Sequence, residues 1–246
     1  MLILLPPSEG KTAPTTGPPV DLEALAYAGE LTESRRKLLG ALAALAELPL
    51  ERAVSMLAVS TGQAGEVAVD AELSSAPAGP AAAVYTGVLY DRLRLPELPK
   101  RAQGRVLIAS ALWGVVRPGD PIPYYRFSAK AKLDGIGGLA AFWRPALTAA
   151  LPDEDGTLVV DMRSGAYSAA WKPKRATLVH VRAFSEVKGK RKPVSHMAKA
   201  TRGEVARTLL EAKKAPESPE AAASIAESAG FTVELAPGSL DVIVPA

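Results

Sequence analysis

Apolar residues fall along this chain in short blocks that alternate between strand-length runs and helical spacing. Met1–Leu5 is an unbroken apolar run closed by Pro6 and Pro7, which predicts a short buried strand. The Gly, Pro and Thr content of Gly10–Pro19 predicts a loop. Leu38, Leu42 and Leu45 then recur at intervals of four and three, the spacing of one helix face. A further helix is expected over Ala64–Leu73, with a Ser/Ala/Pro/Gly loop behind it. Val106–Ala109 reads as a second buried strand, followed by a turn-rich stretch ending at Pro123. Gly135–Gly138 leads into a helix over Leu139–Leu151, and strands follow at Leu158–Asp161 and Thr177–Val181. Helices are predicted over Ser195–Lys213 and Pro219–Ala229. Phe231–Leu235 and Leu240–Val244 close the pattern as a strand pair around Pro237-Gly238. Strands alternating with helices and ending in a hairpin imply an α/β fold, a mixed sheet covered by helices. No repeat or linker divides the chain, so residues 1–246 are read as a single domain.

Composition narrows the chemistry. Apolar residues make up 48% and charged residues 22% of 246, the balance of a globular protein. There is no cysteine, which removes disulfides, thiolate metal sites and cysteine nucleophiles together. With two histidines, His180 and His196, and no metal-type spacing, neither a metal nor a cofactor is expected. The first apolar run is too short for a secretory signal and lacks a basic flank. No stretch approaches a membrane span, so a cytoplasmic protein is expected. The formal charge of +3 hides an asymmetry: residues 171–214 hold thirteen Lys/Arg against three Glu, leaving −7 for the rest. Such a run is either a solvated face or the mark of a phosphate-rich partner.

Ser8-Glu9-Gly10-Lys11-Thr12 follows the first strand in the manner of a phosphate loop. The pattern needs a glycine where Leu5 stands, and Pro6 and Pro7 remove two amide donors, so a nucleoside triphosphate site is not expected. Lys11 still sits where loops gather at the carboxyl ends of strands. Tyr85-Thr86-Gly87 precedes a helical stretch, and Trp113-Gly114-Val115-Val116-Arg117-Pro118 follows a strand. Trp113 and Tyr124 read as core. Arg117 and Arg126 are forked donors in proline- or tyrosine-bounded turns, suited to an anion, and Tyr125 can stack on a base. Asp161-Met162-Arg163-Ser164-Gly165-Ala166-Tyr167 places an acid at a strand end before a helix start. Asp161 is there either a cap paired with Arg163 or a base in a cleft.

On the helix from Ser195, Val205, Ala206, Leu209 and Leu210 share one face, while Thr201, Glu204, Thr208 and Glu211 take the other. Lys199 and Arg202 lie on the apolar side, so each must meet a carboxylate such as Asp161, or a bound anion. Leu133-Asp134-Gly135-Ile136-Gly137-Gly138 resembles the glycine turn of a helix-hairpin-helix DNA-binding unit, in which Gly135 and Gly137 would present amides to a phosphate.

With these residues in view, the whole chain resembles the YaaA family, bacterial proteins associated with resistance to peroxide stress. The resemblance rests on LILLPPSEGKT, Tyr85-Thr86-Gly87, SALWGVVRPGDPIPYYR, Phe142-Trp143, VVDMRSGAY and Ser195-His196 with Lys199 and Arg202-Gly203. The proline-rich start and Arg163–Tyr167 look like the actinobacterial branch. The resemblance implies a single mixed α/β domain with a basic cleft, DNA binding and a part in limiting iron-driven oxidative damage to DNA. Its cleft residues carry over to Lys11, Tyr85, Arg117, Tyr125, Arg126, Asp161, Lys199 and Arg202. One departure stands out: Ala198 occupies a position where the family usually has Asn.

Two functions are therefore set against each other. In the first, the protein binds double-stranded DNA with little sequence preference, with Lys188, Lys190, Arg191 and Lys192 as peripheral phosphate contacts. In the second, it is an enzyme on a small phosphorylated or nucleobase-containing anion, with Asp161, Tyr125 and Tyr167 as the candidate catalytic groups.

Overall fold

A computed structural model, which describes residues 1–187, 190–193 and 195–244, centres on one eight-stranded sheet. In chain order the strands are β1 (Leu2–Leu5), β2 (Gly79–Pro80), β3 (Val106–Ser110), β4 (Gly114–Val116), β5 (Pro121–Ile122), β6 (Leu158–Asp161), β7 (Thr177–Val187), β8 (Lys190–Pro193), β9 (Thr232–Ala236) and β10 (Ser239–Val244). The sheet runs β4-β3-β1-β6-β7-β10-β9, with β8 attached to β7, and β2 and β5 form a separate ribbon. Pairs β1–β3, β1–β6, β6–β7 and β7–β10 are parallel, while β4, β8 and β9 join antiparallel. The parallel centre explains the apolar runs: every residue of β3 and β6 is buried, because helices cover both faces.

The helices are α1 (Ala28–Ala43), α2 (Leu50–Leu57), α3 (Glu66–Ala71), α4 (Ala81–Val84), α5 (Val88–Leu93), α6 (Lys100–Gln103), α7 (Leu139–Ala150), α8 (Gly165–Ser168), α9 (Ser195–Glu211) and α10 (Pro219–Ser228). Helix α1 packs against α7 and buries Leu31, Leu38 and Leu42. Helix α9 lies on β7 and α5, with Val205, Ala206, Leu209 and Leu210 buried as its spacing predicts. Each such leucine contributes about 1.5–3 kcal/mol through its removal from water. Thr201, read as solvent-facing, is buried and donates its hydroxyl to the Met197 carbonyl one turn back. At Gly203 the two helices touch closely: a Cβ there would stand 2.2 Å from the Leu89 carbonyl oxygen. None of these helices is long and apolar enough to cross a membrane.

Three expectations change. The strand read as Thr177–Val181 continues to Val187, since Val179, Val181 and Ala183 keep pointing inward along its length. It then pairs with β8, so Lys190–Pro193 is a strand and not part of a loop. The stretch after β3 contains β4, an antiparallel edge strand, in place of turns alone. Gly135 and Gly137 adopt positive φ of 75° and 71° in a turn that opens α7. Residues 123–138 contain no helix, so the first helix of a helix-hairpin-helix is not there.

The register brings chemistry to one edge. Leu5 lies opposite Ile108, Leu4 opposite Asp161, and Asp161 opposite His180. The carboxyl ends of β1, β3 and β6 are therefore adjacent. From β1 the chain first builds to one side through β3 and then to the other through β6, the crevice where open α/β sheets take ligands.

Candidate functional site

Beyond β1, Pro6 and Pro7 have no amide hydrogen to offer a neighbouring strand, and the chain leaves the sheet. Tyr90 donates to the Pro6 carbonyl (2.7 Å) and holds this exit in place. The Thr12 amide donates to the Val84 carbonyl (2.8 Å) and the Thr86 amide to the Gly10 carbonyl (3.2 Å), which sets Lys11 beside Tyr85. Lys11 Nζ donates to the Ser8 carbonyl (2.8 Å) and stands 4.4 Å from the Tyr125 ring centre and 5.7 Å from that of Tyr85. These π-faces attract the ammonium, but burial, aided by the nearby Arg126 guanidinium, pushes Lys11 down to about 8.

Beneath Lys11 runs a chain of hydroxyls. Ser110 Oγ accepts from the amides of Leu112 (3.2 Å) and Trp113 (3.0 Å), which occupies both its lone pairs. Its proton must therefore go to the Tyr125 hydroxyl oxygen, 2.8 Å away. Tyr125 and Tyr85 share a further hydrogen bond of 2.7 Å, in which either hydroxyl can donate. Burial holds the Tyr85 and Tyr125 hydroxyls above the ordinary phenol range, so both remain protonated donors. Tyr167, whose hydroxyl burial also pushes up, joins Ser110 on the wall of a cavity of about 260 Å³ that Trp143, Leu147 and Ala170 also line.

An acid completes the cluster. Asp70 on α3 is buried and accepts the Arg126 amide through Oδ1 (2.8 Å), while its Oδ2 has no hydrogen-bond partner. Glu66, one turn earlier, accepts from the Tyr124 hydroxyl (3.0 Å) through Oε1, and its Oε2 is likewise buried and unpartnered. Burial raises Asp70 to about 7, against the pull of the Arg126 amide, and the Glu66 carboxylate adds to the rise. Arg126 reaches over to the Glu9 carbonyl (2.9 Å) and ties the turn to the first loop. An ammonium near 8 and a carboxyl near 7 are both poised to exchange protons around neutrality.

Across the strand ends, Asp161 sits in a different arrangement. Its Oδ1 accepts the Arg163 amide and Nε (both 2.9 Å), and its Oδ2 accepts Nη2 at 2.8 Å. The two side chains are 0% and 2% exposed, and Arg163 also donates to the Trp171 carbonyl (2.8 Å). Both oxygens of the Asp161 carboxylate thus accept from one guanidinium, which is the pairing with Arg163 that the sequence offered as one of two readings. Beside it, His180 Nδ1 lies 3.5 Å from Asp161 Oδ2, and Arg202 Nε donates to the Val181 carbonyl (3.0 Å). Asp161, Arg163, His180 and Arg202 line a cavity of about 410 Å³.

The structure thus gathers Lys11, Tyr85, Tyr125 and Arg126 in one cluster, with Tyr167 on the adjoining wall, and puts Asp161 and Arg202 in the neighbouring cavity. Arg117 belongs to neither: it is exposed, stands 5.5 Å from the Tyr27 ring centre, and its amide donates to Asp120. The buried position read for Lys199 is corrected, since the start of α9 carries Met197 and Lys199 into solvent. Arg191 is exposed but paired to both Glu186 and Glu234. Lys188 and the side chains of Lys190 and Lys192 lie outside the described residues. Among the described residues no cluster of His, Asp and Glu could hold a metal ion. Sequence reasoning missed Ser110, Glu66, Asp70 and His180. For Asp70 a signal existed: it shares one helix face with Val67 and Leu73, at intervals of three, and all three are buried.

Fold and site together define an α/β protein with a mostly parallel, helix-covered sheet and a group of perturbed ionisable side chains at its strand ends. The chain belongs to the YaaA family: the family described as "Peroxide stress protein YaaA" matches residues 1–236. The UPF0246 protein of Streptomyces coelicolor is 43% identical over 257 residues, covering 99% of this chain and 98% of its own. The UPF0246 protein of Corynebacterium efficiens is 40% identical over 247 residues, with the same coverage. A Corynebacterium glutamicum relative is 38% identical over 247 residues, covering 99% of this chain and 98% of its own.

Proposed function

We propose that this peroxide stress family member acts as an enzyme on a small, anionic, phosphorylated or nucleobase-containing molecule, by acid–base chemistry in the Lys11 cleft. The observation that carries this is the buried Ser110–Tyr125–Tyr85 hydroxyl chain beside an ammonium near 8. Tyr85 offers its proton to a carbonyl or ring nitrogen of the substrate, and Lys11 and Arg126 hold its negative charge. Asp70, near 7, takes or returns a proton as Lys11 changes state. A polar pair whose acid and base lie so close in pKa is wasteful for stability and useful for proton transfer. The test is a thermal-shift series with nucleoside monophosphates and free nucleobases on the wild type, Lys11→Met and Tyr85→Phe. A rise in melting temperature with one of these, lost in both variants, supports the reading. A response that both variants retain in full overturns it.

A second reading keeps the function that the family resemblance implies: binding of duplex DNA through a basic surface, as part of limiting iron-driven oxidative damage. What favours it is the surplus of ten positive charges between residues 171 and 214. What weakens it is that Arg191 and Arg182 already hold carboxylates. DNA binding of this kind weakens with salt, with a log–log slope of about 0.9 per phosphate contacted. Binding that ignores salt removes this reading.

A further inference from the structure

The cavity at Arg202 differs from the Lys11 cleft in chemistry. Arg163 and the short α8 stand between the two: Arg163, Ala166 and Tyr167 face the apolar cavity beside Ser110, while Arg163, Gly165 and Ser168 face this one. Of its cations, Arg163 is spent on Asp161, and Arg182 on Asp241 through two bonds of 2.7 and 2.6 Å. Arg202 is left. Its Nε is fixed by the Val181 carbonyl, and no carboxylate lies within ion-pair distance of it among the described residues. Burial disfavours its charge, with Asp161 the nearby anion that counters this. Among the described residues this half-buried guanidinium has no partner for its two terminal nitrogens and no partner anion, in a concave site of about 410 Å³. The opposite wall is the β9–β10 turn, where Gly238 and Ser239 bring backbone and a hydroxyl. His180 presents its ring there, with Nδ1 turned to Asp161 and the other nitrogen free to donate or accept.

We infer that this cavity binds the phosphate of a small phosphomonoester, gripped by the Arg202 fork with His180 and Ser239 as further donors. Resting on the small-molecule reading of the neighbouring cleft, this makes the substrate a phosphorylated compound whose other end reaches past α8 toward Tyr85. The planar fork suits a tetrahedral dianion, which accepts two parallel bonds at once. A small ester is the occupant proposed, because the space between α8, α9 and the β9–β10 turn is about 410 Å³.

The test uses inorganic phosphate, adenosine 5′-monophosphate, adenosine and a short DNA duplex as probes on the full chain, followed by NMR of arginine Nε and histidine resonances. Phosphate and the monophosphate should shift the Arg202 and His180 signals, and adenosine alone should not. Arg202→Gln should weaken both phosphates by ~10–100-fold, the worth of charge-assisted hydrogen bonds. Arg202→Lys keeps the charge without the fork, and should lose most of that factor while remaining folded. Lys11→Met should leave inorganic phosphate binding intact, so failure of the cleft reading and failure of this one are told apart. Wild-type Arg202 signals that do not move with phosphate overturn the inference. So does a shift produced by the duplex while the small phosphates stay silent, which would assign Arg202 to nucleic acid.

Discussion

At the end of β6 both carboxylate oxygens of Asp161 accept from Arg163, and two further hydrogens of the guanidinium go to the carbonyls of Trp171 and Tyr167. Across β1, Asp70 and Glu66 each keep one buried oxygen with no donor, and Lys11 rests on a carbonyl and two ring faces with no carboxylate in ion-pair contact. Both clusters are buried, both lie at the carboxyl edge of one sheet, and both mix carboxylates with cations. The closed one has both carboxylate oxygens satisfied by one guanidinium. The open one keeps lone pairs and protons whose gain or loss costs little near neutral pH, because burial has already brought Asp70 and Lys11 close to it. Completeness of hydrogen bonding, more than burial or charge, separates a structural pair from a reactive group.

The largest effect should come from opening the closed cluster. Arg163→Met leaves the buried Asp161 with the backbone amide of residue 163 but without its guanidinium, and is expected to cost about 3–5 kcal/mol in urea unfolding. The Asp161→Leu/Arg163→Met double variant should recover most of that loss; a single variant as stable as the parent would erase the contrast between the clusters. Next comes Asp70, whose carboxyl is raised from an unfolded value of 3.8 to about 7. The folded state then binds the proton more tightly, so stability is highest below the unfolded value and falls as pH rises from about 4 to about 7. Asp70→Asn keeps the bond from the Arg126 amide and should flatten that slope, gaining on the order of 4 kcal/mol above pH 7. An unchanged slope would show that Asp70 is not the open group. Tyr125→Phe interrupts the hydroxyl chain and should cost about 1–3 kcal/mol, since Ser110 and Tyr85 each lose a buried hydrogen-bond partner. A loss of less than a few tenths would mean that the chain contributes nothing to stability. The smallest effect belongs to Arg117→Ala, expected within about ±0.5 kcal/mol by thermal unfolding because its guanidinium lies outside both clusters.

How much of this could be read beforehand depended on local patterning. Val106–Ala109 and Leu158–Val160 were plain because burial on both faces writes an uninterrupted apolar run. Strand β7 was read only as far as Val181, although Arg182 and Ala183 continue the alternation of polar and inward apolar positions. Helices α4, α5 and α6 span six residues or fewer, too little for any period to show. Lys11 was legible from its place after a strand. Its low pKa was not, since that comes from burial and from the Arg126 guanidinium, which is remote in sequence. The pairing of Asp161 was one of two readings, and burial decided it: the neighbouring Arg163 folds back over the acid, while Arg202 turns to a carbonyl.

Gly203 sits next to Arg202 on α9, and Leu89, whose carbonyl it touches, lies four residues beyond Tyr85 on α5. The seat of α9 on α5 is thus gauged by the thickness of a bare peptide. Any other residue at that position sets its Cβ against a helix carbonyl oxygen that cannot step aside. The helices would part, and Arg202 would travel with α9. A single added methyl group at residue 203 is therefore enough to reset where the Arg202 guanidinium stands.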